Sequence, residues 1–199
     1  MVDTPPWLIV GLGNPGPGYA QNRHNVGFMA VSALCESIYP TPTWNERFKG
    51  RTTTIRIGGA RCVLLRPMTF MNRSGDSVQP AAAYYRVPVS QVVVLHDEID
   101  FAFGRVAVKE GGGHGGHNGL RDLIRALGSR DFIRVRIGVG RPVHGEVADY
   151  VLSDFNPTET GELPDLLGRA RGAAEAVLTS GVRAAMNSFN RLTAAKPPG

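Results

Sequence analysis

At 199 residues, with 42% hydrophobic and 20% charged side chains, the chain has the size and composition of one domain with a real core. No run is long and apolar enough to cross a bilayer, and MVDTPP lacks the basic-then-apolar order of a secretion signal, so no membrane association and a cytoplasmic location are expected. A formal charge of +5 favours polyanionic partners such as nucleic acid, while Cys35 and Cys62, inside apolar patterns and without metal-type spacing, read as buried thiols.

Trp7 to Val10 is an apolar run of the kind found in a buried strand. The loop that follows, GLGNPGPGYAQNRHNVG from Gly11 to Gly27, carries Asn14, Asn25, an arginine and a lone His24. Gly11, Gly13 and Gly16 match GxGxxG. Pro15 and Pro17 interrupt the turn, however, and helical periodicity begins only after His24, so a dinucleotide site is disfavoured. Val26 to Ile38 has one apolar face and reads as a helix, ended by Tyr39-Pro40-Thr41-Pro42. Arg51 to Arg56 and Arg61 to Arg66 read as a hairpin about Gly58-Gly59.

PMTFMNRSG, from Pro67 to Gly75, is a second polar stop at a strand end, with Asn72 its notable residue. Ser74 or Ser77 is placed to cap a helix to about Tyr85, in which Pro80 fits only in the first turn or as a kink. Gln91 to His96 holds a continuous apolar run typical of a strand covered on both faces, and it ends in His96-Asp97-Glu98-Ile99-Asp100. Arg105 to Lys109 resembles an edge strand. The glycine loop EGGGHGGHN leads to a helix from about Gly119 to Leu127, which His117 or Asn118 is placed to cap. Phe132 to Gly140 alternates as a strand, with Arg134 and Arg136 on its basic side.

Residues 141–148 read as loop and 149–155 as a short extended or turn segment. Asn156-Pro157-Thr158-Glu159 starts a helix that runs to Thr179, with Gly161 and Pro164 as points where its beginning can split. Gly181 closes it, and residues 182–189 add a turn or two. Strands alternate with helices over most of the length. This argues a single α/β domain with a mostly parallel sheet and an antiparallel hairpin.

Four polar stops therefore fall at ligand-facing positions of such a sheet: Asn14 with His24, Asn72, Asp97, and His117 with Asn118. A histidine serves as general base near neutral pH, an aspartate fixes its tautomer, and an amide donates to a carbonyl oxygen as charge builds there. GxSxG is absent, so the set points to water attack on an activated carbonyl without a covalent intermediate. His96 and Asp97 face opposite sides of a strand and HExxH is absent, so neither a metal nor another cofactor is expected. The glycine loop exposes backbone N–H groups before a helix, a natural anion site, to which Lys109 and Arg134 or Arg136 add charge.

GLGNPG, RHNVG, PMTFMNRSG, HDEID, GGHNGLR and RVRIGVGRP, in this order from Leu8 to about Phe155, resemble the bacterial peptidyl-tRNA hydrolase family. The resemblance implies a monomeric three-layer α/β/α sandwich around a twisted, mixed central sheet. It implies a cytoplasmic enzyme that cleaves the ester between a peptide and the 3′ ribose of tRNA, recycling tRNA from stalled translation. By the same resemblance, His24 matches the base, Asp97 its orienting acid, and Asn72 the oxyanion amide. Asn14 and Asn118, with His117, match substrate-positioning groups. Tyr19, Phe70 and Met71 match the pocket lining, and Lys109 with Arg136 the clamp on the tRNA 5′-phosphate. Residues 1–6 stand as a tail, 141–155 as a gate over the cleft, and 156–190 as C-terminal helices. His114 departs from the smaller or acidic residues usual in that loop, and the segment 142–147 is short and carries His144. The alternative reading is a non-catalytic RNA-binding relative of the same fold.

Overall fold

The computed structural model describes residues 4–191; residues 1–3 of the tail lie outside the described residues, as do 192–199. In chain order the elements are β1 (Trp7–Gly11), α1 (Val26–Glu36), β2 (Asn45–Arg47), β3 (Gly50–Ile57), β4 (Ala60–Pro67), α2 (Gly75–Tyr85), β5 (Val92–Glu98), β6 (Val106–Glu110), α3 (Asn118–Leu127), β7 (Ile133–Gly138), α4 (Val147–Val151), α5 (Pro157–Ser180) and α6 (Val182–Phe189). All seven strands join one sheet in the order β2-β3-β4-β1-β5-β7-β6. The central pairings β4-β1, β1-β5 and β5-β7 are parallel, while β2-β3, β3-β4 and β6-β7 are antiparallel. Only β3 and β6 thus run against the other strands of this mixed sheet.

The apolar runs of β1 and β5 are continuous because helices cover both faces. Ile9, Val93 and Leu95 point to one side, where they meet Val31 and Leu34 of α1 and Ala170 and Val177 of α5. Leu8, Val10, Val92 and Val94 point to the other and meet Val78 of α2 and Leu123 of α3. At roughly 25 cal/mol per Å² of apolar area, these two layers supply most of the drive to fold. Both cysteines are free and buried. Gly27 is required where α1 starts: a Cβ there would lie 2.3 Å from the Leu95 carbonyl oxygen and 2.6 Å from the Leu12 amide nitrogen. That contact brings the start of α1 down onto the carboxyl ends of β1 and β5.

Several local expectations are corrected. β2 was not anticipated; three exposed residues carry no periodic signal. β5 continues past His96 to Glu98, so Asp97 is the penultimate residue of the strand rather than part of the loop after it. Residues 147–151 form α4 instead of an extended segment, with Val151 buried and Tyr150 Oη donating to the Val139 carbonyl at 2.7 Å. Helix α5 is unbroken through Gly161 and Pro164, both exposed, and opens on a capping box between Asn156 and Glu159. Neither serine caps α2 with its side chain. Ser74 Oγ donates to the Met71 carbonyl, and Asp122 of α3 accepts from the Gly75 amide at 2.8 Å. Pro80 lies inside α2 on its exposed side.

Candidate active site

Helices α1 and α3 lie on opposite faces of the sheet, and the residues that lead into them converge on one carboxylate at the end of β5. His24, in the 3-10 turn before α1, places Nδ1 2.9 Å from both oxygens of Asp97. His117, which precedes α3, places Nε2 2.8 Å from Asp97 Oδ1. The carboxylate is almost closed to solvent, its side chain 2% exposed.

The tautomers follow from the partners. His117 Nδ1 accepts from the amides of Gly119 and Leu120, so its proton is on Nε2, which donates to Asp97. An ionised carboxylate only accepts, so His24 donates from Nδ1 and keeps Nε2 as a free acceptor. Burial disfavours charge on His24, but the field of Asp97 and its hydrogen bond outweigh that and raise the imidazole above its usual 6.5. Burial also opposes charge on Asp97, yet the fields of His24 and His117 and their hydrogen bonds hold it well below the usual carboxylate range. His96, fully buried, is pushed down to about 3, first by burial and then by the field of His117. Its neutral ring donates from Nδ1 to the Asp97 carbonyl at 2.7 Å.

These groups open on a cavity of about 520 Å³ that is also lined by Asn118, Lys109, Arg136 and the apolar side chains Val147 and Val151. Asn118 is exposed and its Oδ1 accepts from Arg121. Lys109 is exposed. Arg136 donates from Nε to Glu98 at 2.9 Å and lies 4.3 Å over the Phe101 ring, with its terminal nitrogens left over. Arg134 does something else: its guanidinium is buried and donates to the carbonyls of Gly112 and Gly113. Of the two candidate partners for Lys109, only Arg136 is therefore available to a phosphate. The amides of Gly119 and Leu120 at the start of α3 are taken by His117 Nδ1, and in the glycine loop itself the Gly111 amide donates to the Phe132 carbonyl. His114 Nδ1 accepts from the Gly116 amide and shapes the same loop.

A second set of predicted residues lies beside the first, past β1 and β4. Asn14 is buried, and its Oδ1 accepts from the Met71 amide at 2.7 Å. Asn25 grips the Asn14 backbone twice, donating to its carbonyl and accepting from its amide, each at 2.9 Å. Tyr19 meets Phe70 edge to face, with ring centroids 6.4 Å apart, and Phe70 is exposed. Asn72 is exposed on the 3-10 turn Met71–Arg73, which packs on the start of α3. A Cβ on Gly119 would come within 2.6 Å of Met71 Sδ, which shows how closely the two loops approach.

Sequence reasoning did not single out Glu98 as a counter-charge, Asn25 as the clamp on Asn14, or Arg134 as the brace of the glycine loop. The Glu98–Arg136 pair had a findable signal, since β5 and β7 are adjacent apolar strands whose ends align. The other two depend on loop geometry that no spacing encodes.

His24, Asp97 and His117 offer metal-ligand atoms within 4.8 Å of one another. Their N···O distances of 2.8 and 2.9 Å are those of a hydrogen-bonded chain, with protons already between the atoms. The arrangement is an imidazole that lines the cavity and keeps its second nitrogen out of the contact with Asp97, a carboxylate shared with a second imidazole, and side-chain amides nearby.

Comparison with known proteins was made with this geometry in view. The profile of the family described as peptidyl-tRNA hydrolase matches residues 8–197. The chain is 52% identical over 186 residues to a peptidyl-tRNA hydrolase of Sorangium cellulosum, covering 92% of this chain and 83% of that protein. It is 48% identical to one from Frankia casuarinae, covering 94% and 95%. The crystal structure of peptidyl-tRNA hydrolase from Acinetobacter baumannii superposes with a TM-score of 0.86 at 39% identity, over 94% of this chain and 96% of that one.

Proposed function

The chain belongs to the peptidyl-tRNA hydrolase family, as an esterase of that class, and from this premise we propose how its own residues cleave peptidyl-tRNA. His24 Nε2 takes a proton from water, and the oxygen attacks the carbonyl of the ester that joins the peptide to the 3′ ribose. Asp97 stabilises the imidazolium that forms and keeps Nε2 aimed outward. Negative charge on the carbonyl oxygen is met by the amide of Asn72, with Asn14 and Asn118 holding the peptide and the water. The ribose 3′ oxygen leaves with the proton carried by His24, giving a free peptide acid and tRNA. No covalent intermediate is needed because an ester to a ribose is already an activated acyl group. Lys109 and the free end of Arg136 hold the tRNA 5′-phosphate, and residues 141–155 gate the cleft. The protein acts as a cytoplasmic monomer that returns tRNA from stalled translation.

The observation that carries this reading is the contact between His24 Nδ1 and both oxygens of a buried Asp97, in a cavity that also holds the basic pair. His24→Ala is expected to lower the kcat for peptidyl-tRNA by at least about 10²-fold, the lower end of what a positioned base contributes, with unchanged circular dichroism. Near-normal turnover in that variant removes His24 from the mechanism. Absence of turnover in the unaltered protein, with tRNA binding retained, would favour the non-catalytic RNA-binding reading.

A further inference from the structure

A second cavity, of about 240 Å³, lies on the other side of Asn14, between that loop, the first turns of α1 and the end of β4. Phe28, Met29 and Met68 give it apolar walls, and Ser32 and Arg66 are the polar groups opposite Asn14. Arg66 is the unusual member. Its side chain is partly buried, stacked 4.7 Å over Phe28 and 5.8 Å from Trp44. One terminal nitrogen donates to Ser32 Oγ at 3.1 Å, and Nε is buried without a partner. No carboxylate among the described residues comes within ion-pair distance of it. The residue directly across the ladder is Arg51, a like charge, whose own partner Glu46 is 4.0 Å away. Exposed Glu36 acts on Arg66 favourably but from beyond ion-pair distance, and burial and Arg51 outweigh it, so this half-buried guanidinium with spare donors is left for an anion to complete.

The sheet order says what that is. Lys109 and Arg136 stand on β6 and β7, Asp97 with the His24 it holds at the end of β5, Asn14 past β1, and Arg66 on β4. On the reading given above, a substrate with its phosphate at β6–β7 and its ester at β5 lays its peptide across β1 towards β4. We propose that this cavity is a peptide side-chain subsite, and that Arg66 selects a carboxylate, Asp or Glu, at one of the two residues nearest the ester. The apolar walls receive the side-chain methylenes, and the guanidinium, spared a protein partner, receives the charge. Such a contact, remote from the reacting carbonyl, is made equally in ground and transition states, so it lowers KM and leaves kcat alone.

The test uses N-acetyl-dipeptidyl-tRNA substrates that differ only by Glu or Gln at the first or the second residue from the ester. At low salt the Glu substrate is expected to show a KM on the order of fivefold lower than its Gln counterpart at one of the two positions, with equal kcat. In Arg66→Met the ratio of the two KM values falls to about one, while Arg66→Lys keeps part of it. Equal KM for Glu and Gln at both positions in the unaltered protein overturns the subsite, and so does an undiminished Glu preference in Arg66→Met. Failure to cleave any of these substrates overturns the hydrolase reading itself, and the subsite with it.

Discussion

The two walls of the larger cavity are held by different kinds of contact. On the side of β5 and α3, Asp97 accepts from two imidazoles, His117 is fixed by two backbone amides, and His96 ties down the Asp97 carbonyl. On the other side, residues 141–149 are tethered at their start by the exposed Arg141–Asp100 pair, and Val143 is 89% exposed. Firmer ties come beyond it, where Tyr150 Oη donates to the Val139 carbonyl and buried Arg23 donates to the carbonyls of Ser153 and Asp154 and pairs with Glu159 at 2.6 Å. On the proposed mechanism, strand and helix ends thus carry the groups whose positions must be held within fractions of an ångström, and a large substrate passes the more loosely held wall, a loop at 141–146 followed by α4.

If the first wall works through over-determined geometry, its most damaging change should be one that alters hydrogen-bond polarity without altering shape. Asp97→Asn is that change. His117 presents Nε2–H because the backbone fixes its tautomer, so the new amide turns its oxygen to His117 and its NH2 to His24. His24 Nδ1 must then accept, the proton moves to Nε2, and the base is lost. A fall in kcat of about 10³ to 10⁴ is expected with little change in KM. The pH profile provides a second readout. Asp97 raises the His24 imidazole, and a base must be neutral to act, so on the proposed mechanism kcat/KM of the unaltered enzyme is expected to climb with pH along a limb centred above 6.5. Without the carboxylate, burial and a hydrogen bond that needs Nδ1 unprotonated both favour the neutral ring, and the limb of any residual activity moves down. A loss below tenfold, or an unmoved limb, would mean that the wall is rigid for reasons unrelated to catalysis.

The basic pair lies between the two regimes, and the expected effect is smaller. Lys109 is exposed, and Arg136 has already given one N–H to Glu98. Lys109→Ala is expected to raise the KM for peptidyl-tRNA by roughly tenfold at low salt and to reduce the magnitude of the salt slope by about one phosphate contact. Hydrolysis of a short peptidyl-nucleotide ester, which has no 5′-phosphate at that distance, should be unaffected. Equal losses on both substrates would show that Lys109 serves the reaction centre instead.

How much of this could be read from the sequence depended on the distance over which each feature is decided. β1 and β5 were legible because their apolar runs answer to local burial, Asp97 because it follows the apolar run of β5, and His24 because it stands alone in the loop between β1 and the first helix. Asn14 stood out beside a Gly-Pro loop, but its hold on Met71 crosses 57 positions and was not foreseeable. The capping of α2 was misread for the same reason: Asp122, 47 positions away, supplies what Ser74 was placed to give. Arg134 and Arg136 looked interchangeable in an alternating strand. Only the folded glycine loop, whose carbonyls Arg134 fills, separates that brace from Arg136, whose terminal nitrogens stay available.

The smallest predicted effect tests the loosely held wall. Arg141 and Asp100 are 57% and 60% exposed, and an ion pair so placed contributes roughly 0.5 kcal/mol or less once solvent screens it. Arg141→Ala should therefore leave the unfolding midpoint within error and change kcat/KM by about twofold or less, while amide exchange across residues 141–149 accelerates. Exchange at Asp97 and through α3 should stay as it is, because none of their hydrogen bonds passes through Arg141. If the variant instead lost tenfold or more in kcat, the arm would belong to the catalytic geometry, and the contrast between a fixed wall and a passable one would be wrong for this molecule.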